Sequence, residues 1–398
     1  MLHSPHLVTA TDLTERHYRL EERGLFPDLV QRLILSSDLS VRGLQFRSYE
    51  SIAISGWDGI VEQADGSTFV PTGASRWEIG TNVDAQSKVK SDFEKRNAPP
   101  APPKKRGRPK KNPPATSAVG VTAVGAPTAP PVGIVSPEEL VFRGKTTLVF
   151  VIGREWPDNR TWAAAQTKAN EWKAIRVFDA SDIYTWLTQH PGLHLWLSRQ
   201  MGKPVRGTND LENWWADWAF SINIRIQPDW LIAGRQQHRD RLIEWLKEGD
   251  AIFPIFGKST REAQAFLAAC VMSLAEDDRL TLLGRIVLVA REDVWEELVW
   301  EEKKLILVFD FLSERQYVLC SMAARQGHRV IITNPQQDER NIPSNSLLPP
   351  IGVEELRALL IQQGMPAQLA STNTQLASQL FTGSNSQVMK WPFLNPNY

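Results

Sequence analysis

Residues 251–275 read AIFPIFGKSTREAQAFLAACVMSLA. A short apolar run, Ala251 to Phe256, meets a Gly-Lys-Ser-Thr turn. From Arg261 to Ala275 the apolar stretch is too long for a strand and is spaced as a helix. The alternation continues downstream. Arg285 to Ala290, Leu305 to Phe311 and His328 to Thr333 are short apolar strands, with helical stretches at Asp293 to Val299 and Glu314 to Arg325 between them. Strands separated by helices predict a parallel, doubly wound α/β sheet, because each parallel return needs a crossover long enough to hold a helix. This block covers residues 225–365. A Trp-dense segment with Trp214, Trp215 and Trp218 precedes it and reads as a connector over 204–224. From Pro366 onward Ser, Thr, Asn and Gln dominate without periodicity, which predicts a polar tail or a linker, 366–398, toward further C-terminal domains.

Working toward the N-terminus, residues 1–203 form a second α/β unit interrupted by an insert. Phe26 to Leu35 has helical apolar spacing. Ile52 to Glu62 and Thr68 to Val70 read as strands around an Asp65-Gly66 turn, and Arg76 to Gly80 is a further strand. A helix from Asp84 to Arg96 follows, with Ala85, Val89 and Phe93 four apart on one face. Residues 97–136 are almost wholly Pro, Ala, Gly, Val, Thr, Lys and Arg, a composition with too little to bury to offset chain ordering, and the expectation is a disordered insert. Beyond it, Thr147 to Ile152 (TLVFVI) is an apolar strand, Thr161 to Trp172 a helix, Ile175 to Phe178 a strand and Ala180 to Leu187 a helix.

The bulk composition narrows the class. The chain has 398 residues, 42% apolar, with 45 basic against 45 acidic side chains, which is the range of a globular protein of two or three domains. No apolar run approaches the roughly 20 residues of a membrane-spanning helix, and MLHSPHLVTATDLTERHY lacks the order of a signal peptide, so the expectation is a cytoplasmic protein with no membrane partner. The only cysteines, Cys270 and Cys320, lie far apart in apolar segments and exclude a disulfide framework and a four-ligand zinc site. The neutral total hides one run, residues 104–111 (KKRGRPKK), that holds six positive charges.

Two carboxylates mark the first chemical constellation. Gly56-Trp57-Asp58-Gly59 puts Asp58 on a strand between glycines, where backbone and ligand can approach closely. Trp77-Glu78-Ile79-Gly80 puts Glu78 on a neighbouring strand. Acidic side chains converging from adjacent strands form a hard-oxygen site suited to Mg²⁺, with Mn²⁺ as the alternative ion. Such a metal activates water and neutralises charge on a phosphodiester. Lys88 and Lys90 stand on the following helix, and Lys88 lies four before Asp92, within ion-pair reach. The competing reading is a turn at Asp58, since Gly-x-Asp-Gly is common turn chemistry, with Glu78 an ordinary strand carboxylate.

The run FPDLVQRLI…GWDGIVE…FVPTGASRWEIGTNVDAQSKVKSDFEKR, continued by TLVFVI, the spaced Trp156, Trp162 and Trp172 and RVFDASDIYTWL, resembles the N-terminal effector nucleases of prokaryotic anti-phage proteins in the PD-(D/E)XK restriction-endonuclease-like superfamily. The resemblance covers about the first half of the chain. It implies a mixed-sheet nuclease domain, with Asp58 and Glu78 as catalytic and metal-holding acids and Glu50 as an accessory ligand. The chain departs from the pattern at the E-x-K lysine, where Gly80 stands. The resemblance therefore implies a lysine supplied from the helix, Lys88 first and Lys90 second.

Lys104, Lys105, Arg106, Gly107, Arg108, Pro109, Lys110 and Lys111 resemble an AT-hook. Glycine lets the backbone lie on the minor-groove floor, while arginines extend along a narrow, electronegative A·T-rich groove. The flanking lysines add salt-dependent phosphate attraction. The implied partner is A·T-rich double-stranded DNA, and a tether of this kind would raise its local concentration at a nuclease site. A merely solubilising basic run is the alternative.

The third constellation is Gly257, Lys258 and Ser259. A full G-x-x-x-x-G-K-[ST] loop would need glycine at position 252, where Ile252 stands. LILVFD, ending in Asp310, has the form of the acidic strand that faces Mg²⁺. The region resembles the degenerate P-loop block of STAND-type defence proteins, which implies ATP as a ligand and a homo-oligomer or protein activator as partner. A plain capped turn fits the same residues. Three functions thus stand open: a Mg²⁺-dependent endonuclease, a non-catalytic DNA-binding module and a nucleotide-regulated signalling protein.

Overall fold

The computed structural model describes residues 7–15, 24–46, 56–98, 136–203, 205–222, 226–333 and 344–381. Glu50 and the basic run 104–111 lie outside them. In the first unit, α1 (Ala10–Glu15) and α2 (Leu25–Ser37) precede β1 (Gln45–Phe46), β2 (Gly59–Val61) and β3 (Ala74–Gly80). Then come α3 (Ala85–Asn97), α4 (Pro137–Lys145), β4 (Thr146–Ile152), α5 (Asn159–Ala169), β5 (Ala174–Phe178), α6 (Ala180–Thr188) and α7 (Pro191–Gln200). The strands order as β1-β2-β3-β4-β5. The β1/β2 and β2/β3 pairs are antiparallel and the β3/β4 and β4/β5 pairs parallel, so the sheet is mixed.

β4 lies inside the sheet, between β3 and β5, and is buried along its length, and its alternation separates two apolar layers. Leu148, Phe150 and Ile152 pack with Val89 and Phe93 of α3 and Ala163 of α5, while Val149 and Val151 pack with Leu29 and Leu33 of α2 and Ile183 and Trp186 of α6. Trp77 joins the α2/α6 layer, so Glu78, one residue on, faces α3. α3 begins where the sequence places it: Asp84 caps it by accepting from the Ser87 N–H at 3.0 Å, and Ala85, Val89 and Phe93 are its buried stripe.

The second unit begins earlier than residue 225. β6 (Thr208–Asp210) is the antiparallel edge of the second sheet, and the Trp-dense stretch read as a connector is α8 (Leu211–Ile222). There follow α9 (Pro228–Ile232), α10 (Gln236–Glu248), β7 (Ile252–Pro254), α11 (Thr260–Met272), α12 (Glu276–Leu283), β8 (Ile286–Val289), α13 (Glu292–Leu298), β9 (Ile306–Phe309), α14 (Gln316–Arg325), β10 (Arg329–Ile332), α15 (Val353–Gln362) and α16 (Ala367–Phe381). The order is β6-β8-β9-β10-β7, parallel from β8 to β7. Ile306 and Val308 face α11, whereas Leu307 and Phe309 face Trp295 of α13 and Leu319 of α14, so helices cover both faces. Both thiols are core residues, with Cys270 on α11 and Cys320 on α14.

Two expectations are corrected. Thr68 to Val70 is not a strand. Ser67 closes it into a tight turn, its N–H donating to Val70 O at 2.8 Å, and Phe69 plugs the core by stacking on Trp186 at 5.0 Å. Residues 367–381, expected as linker, are helical. The hydroxyls of Ser371, Thr372 and Thr374 bond back within the helix, Thr374 Oγ1 donating to Ala370 O at 2.6 Å, and Ala370 and Thr374 are buried on the side packed against α15. The described buried residues are Ala370, Asn373 and Thr374, two of them polar, so periodicity in hydrophobicity does not show the packed side.

Candidate active site

Asp58 stands just before β2, in a bend and not within the strand. Its N–H donates to Trp77 O at 3.1 Å, and its Oδ2 accepts the Ile79 N–H at 2.9 Å, so it extends the β2/β3 ladder by one side-chain bond. This ties the carboxylate to the β3 backbone on either side of Glu78. Glu78 is 8% exposed, and its carboxyl is pushed up to about 7, first by burial and then by the negative charge of Asp58, against the pull of Arg96. The two acids are brought together as the sequence predicts.

α3 supplies the positive charge. Lys88, Asp92 and Arg96 each stand three residues after a member of the buried stripe, at its margin. Lys88 Nζ donates to Asp92 Oδ2, the expected pair, and Asp92 Oδ1 also accepts from Lys95 Nζ at 3.1 Å. The stem of Lys88 crosses Gly80: a Cβ built on Gly80 would lie 3.8 Å from Lys88 Cγ. Lys90 is carried elsewhere, with its ammonium 5.9 Å from the centroid of the Trp156 ring.

Sequence reasoning missed Arg96. Its Nε donates to Glu78 Oε1 at 2.6 Å, its Nη2 to the Gly56 carbonyl, and its guanidinium lies 4.2 Å over the Trp57 ring. The available signal was its i+8 spacing from Lys88 on one helix face. Behind it, Arg143, 1% exposed, joins the two ends of the insert, donating to Arg96 O at 3.1 Å and to Asn97 O at 3.2 Å.

The donor set fits a divalent cation. Among the described residues neither Asp58 Oδ1 nor Glu78 Oε2 accepts a hydrogen bond, and the half-buried Asp58 stands close enough to the buried Glu78 to raise its carboxyl, so the two offer open carboxylate oxygens to one ion. These two carboxylates are the whole described set, since no group of three or more metal-type side chains occurs among the described residues.

The third constellation has a different geometry. Gly257 to Ser259 follows β7 and Asp310 follows β9, with β10 between them, so both stand at the carboxyl edge of the sheet, about 10 Å apart by strand spacing. Ser259 caps α11, its Oγ accepting the Glu262 N–H at 3.1 Å. Glu262 Oε2 in turn accepts the Lys258 N–H at 2.7 Å. A Cβ on Gly257 would lie 2.8 Å from that same carboxylate oxygen. Glu262 is fixed there by Arg235 in a pair whose side chains are 2% and 0% exposed. Burial raises the Asp310 carboxyl above the usual range. The Lys258 N–H, a donor that a phosphate loop would turn on its ligand, is taken by a buried carboxylate whose negative charge opposes a phosphate at this helix end.

No helix among the described residues is long and apolar enough to cross a membrane. The chain matches no protein-family model, no curated protein and no solved structure.

Proposed function

We propose that this chain is a Mg²⁺-dependent endonuclease of double-stranded DNA in foreign-DNA defence, with a restriction-endonuclease-like first unit and a P-loop-like second unit that regulates or oligomerises it. The observation that carries this reading is the Lys88 stem lying over Gly80. In the E-x-K pattern the lysine is two residues after the acid, on the same strand face. Here that position lacks a side chain, and Cγ of a lysine from α3 lies in van der Waals reach of where its Cβ would stand. Bound Mg²⁺ would polarise the scissile phosphate and lower the pKa of its attacking water. Asp58 and Glu78 hold the ion, with Glu50 an accessory ligand of the resemblance. Lys88, tethered by Asp92, supplies a point charge beside the phosphate, and residues 104–111 tether A·T-rich duplex.

The test is cleavage of supercoiled plasmid with Mg²⁺, Mn²⁺ or EDTA by the intact protein and by Asp58→Ala, Glu78→Ala and Lys88→Ala at equal folded concentration. Metal-dependent nicking should vanish in both acid variants and fall about 100-fold in Lys88→Ala, the order expected for one electrostatic contact to developing charge. Cleavage that survives EDTA, or that both acid variants retain, would refute the assignment. Plasmid retarded but never cut would favour the DNA-binding module.

A further inference from the structure

The acids of this cluster already have cationic partners: Asp92 pairs with Lys88 and Lys95, and Glu78 pairs with Arg96. A divalent cation on the nearly buried Glu78 would meet a guanidinium already bonded to that carboxylate, so the two cations compete for one site. Lys88 and Lys95 contact Asp92; Arg96 alone among the described residues contacts Glu78.

Resting on the nuclease reading, we infer that Arg96 is a resident counter-cation of the metal site: it competes with the divalent ion for Glu78 and must swing off Glu78 for the site to load. The geometry favours such an exchange. The guanidinium bridges Glu78 Oε1 and the Gly56 carbonyl, filling the gap between the segment that carries Asp58 and the strand that carries Glu78. Its side chain is 27% exposed against 9% for Glu78, so the arginine reaches water by a short movement while the carboxylate does not. Trp57 offers a face on which the guanidinium keeps a cation–π contact. Removing one partner of a buried ion pair leaves the other charge uncompensated, and that deficit is what a metal would then satisfy.

The experiment is Mn²⁺ binding to the full chain, followed by the loss of the free-ion electron paramagnetic resonance signal, with no DNA present. Wild type is compared with Arg96→Gln, with Arg96→Met, which keeps an apolar stem over Trp57, with Glu78→Gln alone and with each Arg96 variant combined with Glu78→Gln; circular dichroism verifies folding. The expected result is Mn²⁺ binding at least about tenfold tighter in the Arg96 variants than in wild type, abolished by Glu78→Gln. Equal or weaker binding in the folded Arg96 variants, with wild type still binding through Glu78, would overturn the competition and leave the nuclease reading standing. Absence of Glu78-dependent Mn²⁺ binding in every variant would sink both.

Discussion

At Gly80 the strand offers room. A Cβ there would meet Ile152 Cγ2 at 3.7 Å and Lys88 Cγ at 3.8 Å, both ordinary contacts. Residues 78 and 80 of a strand share a face, so a lysine at 80 would extend along the face that carries Glu78, beside which the Lys88 stem now runs from α3. Gly80→Lys in a Lys88→Ala background should therefore recover at least about tenfold of the roughly 100-fold activity lost with Lys88 alone. Gly80→Lys with Lys88 kept should crowd the same space and give no gain. Plasmid nicking rates for the four proteins decide it. If the double variant is no faster than Lys88→Ala, the two positions do not serve one phosphate, and Lys88 is only the partner of Asp92.

Among the elements, α11 makes the clearest departure from what its sequence suggests. Gly-Lys-Ser before a helix and after a strand reads as a phosphate loop, yet the third residue of α11, Glu262, already neutralises that helix end. Millimolar Mg²⁺·ATP should leave the melting temperature of the wild-type protein unchanged, since a ligand that binds only the folded state must raise it. Glu262→Ala should lower stability by about 3–5 kcal/mol in urea, because Arg235 is left buried without its carboxylate. An ATP-dependent rise in wild-type melting temperature would show that Glu262 yields the cradle. The same contrast explains what the sequence could reveal elsewhere. α3 and β4 were legible because a cap, a stripe and a continuous apolar run are local signals; Asp58 and Glu78 were singled out by motif spacing, whereas Lys88 came only from the resemblance, its motif position being Gly80. Arg96 was not legible, because its partner is 18 residues away on a strand and only the packing angle of α3 joins them. The Ser67–Val70 turn escaped for a related reason: Phe69 is buried by tertiary contact with Trp186 in a segment whose composition also suits a strand.

At the scale of the molecule the insert is set apart from the core by one side chain. α3 ends at Asn97 and α4 starts at Pro137, and the buried Arg143 guanidinium gathers the carbonyls of Arg96 and Asn97 while its Nε pairs with Glu139 at 2.8 Å. The chain ends flanking residues 99–135 are thus fixed by bonds that the insert does not supply. Meanwhile the two sheets share one continuous apolar cluster, in which α2 packs on α12 and Arg32 of α2 pairs with Glu212 of α8 at 2.7 Å. Closing a long loop or a short one differs by only about 0.6 kcal/mol per doubling of length. Deleting residues 102–114 should therefore leave a single thermal transition within a few degrees of wild type. It should also remove any preference for A·T-rich over G·C-rich duplex and flatten the salt dependence of binding, since six positive charges leave with the deletion. Calorimetry and fluorescence anisotropy at several salt concentrations measure the two halves separately. A large drop in melting temperature would mean the insert packs on the fold. Unchanged A·T preference in a stable deletion would move the DNA contact to the sheet domain, where the cations of α3 would have to provide it.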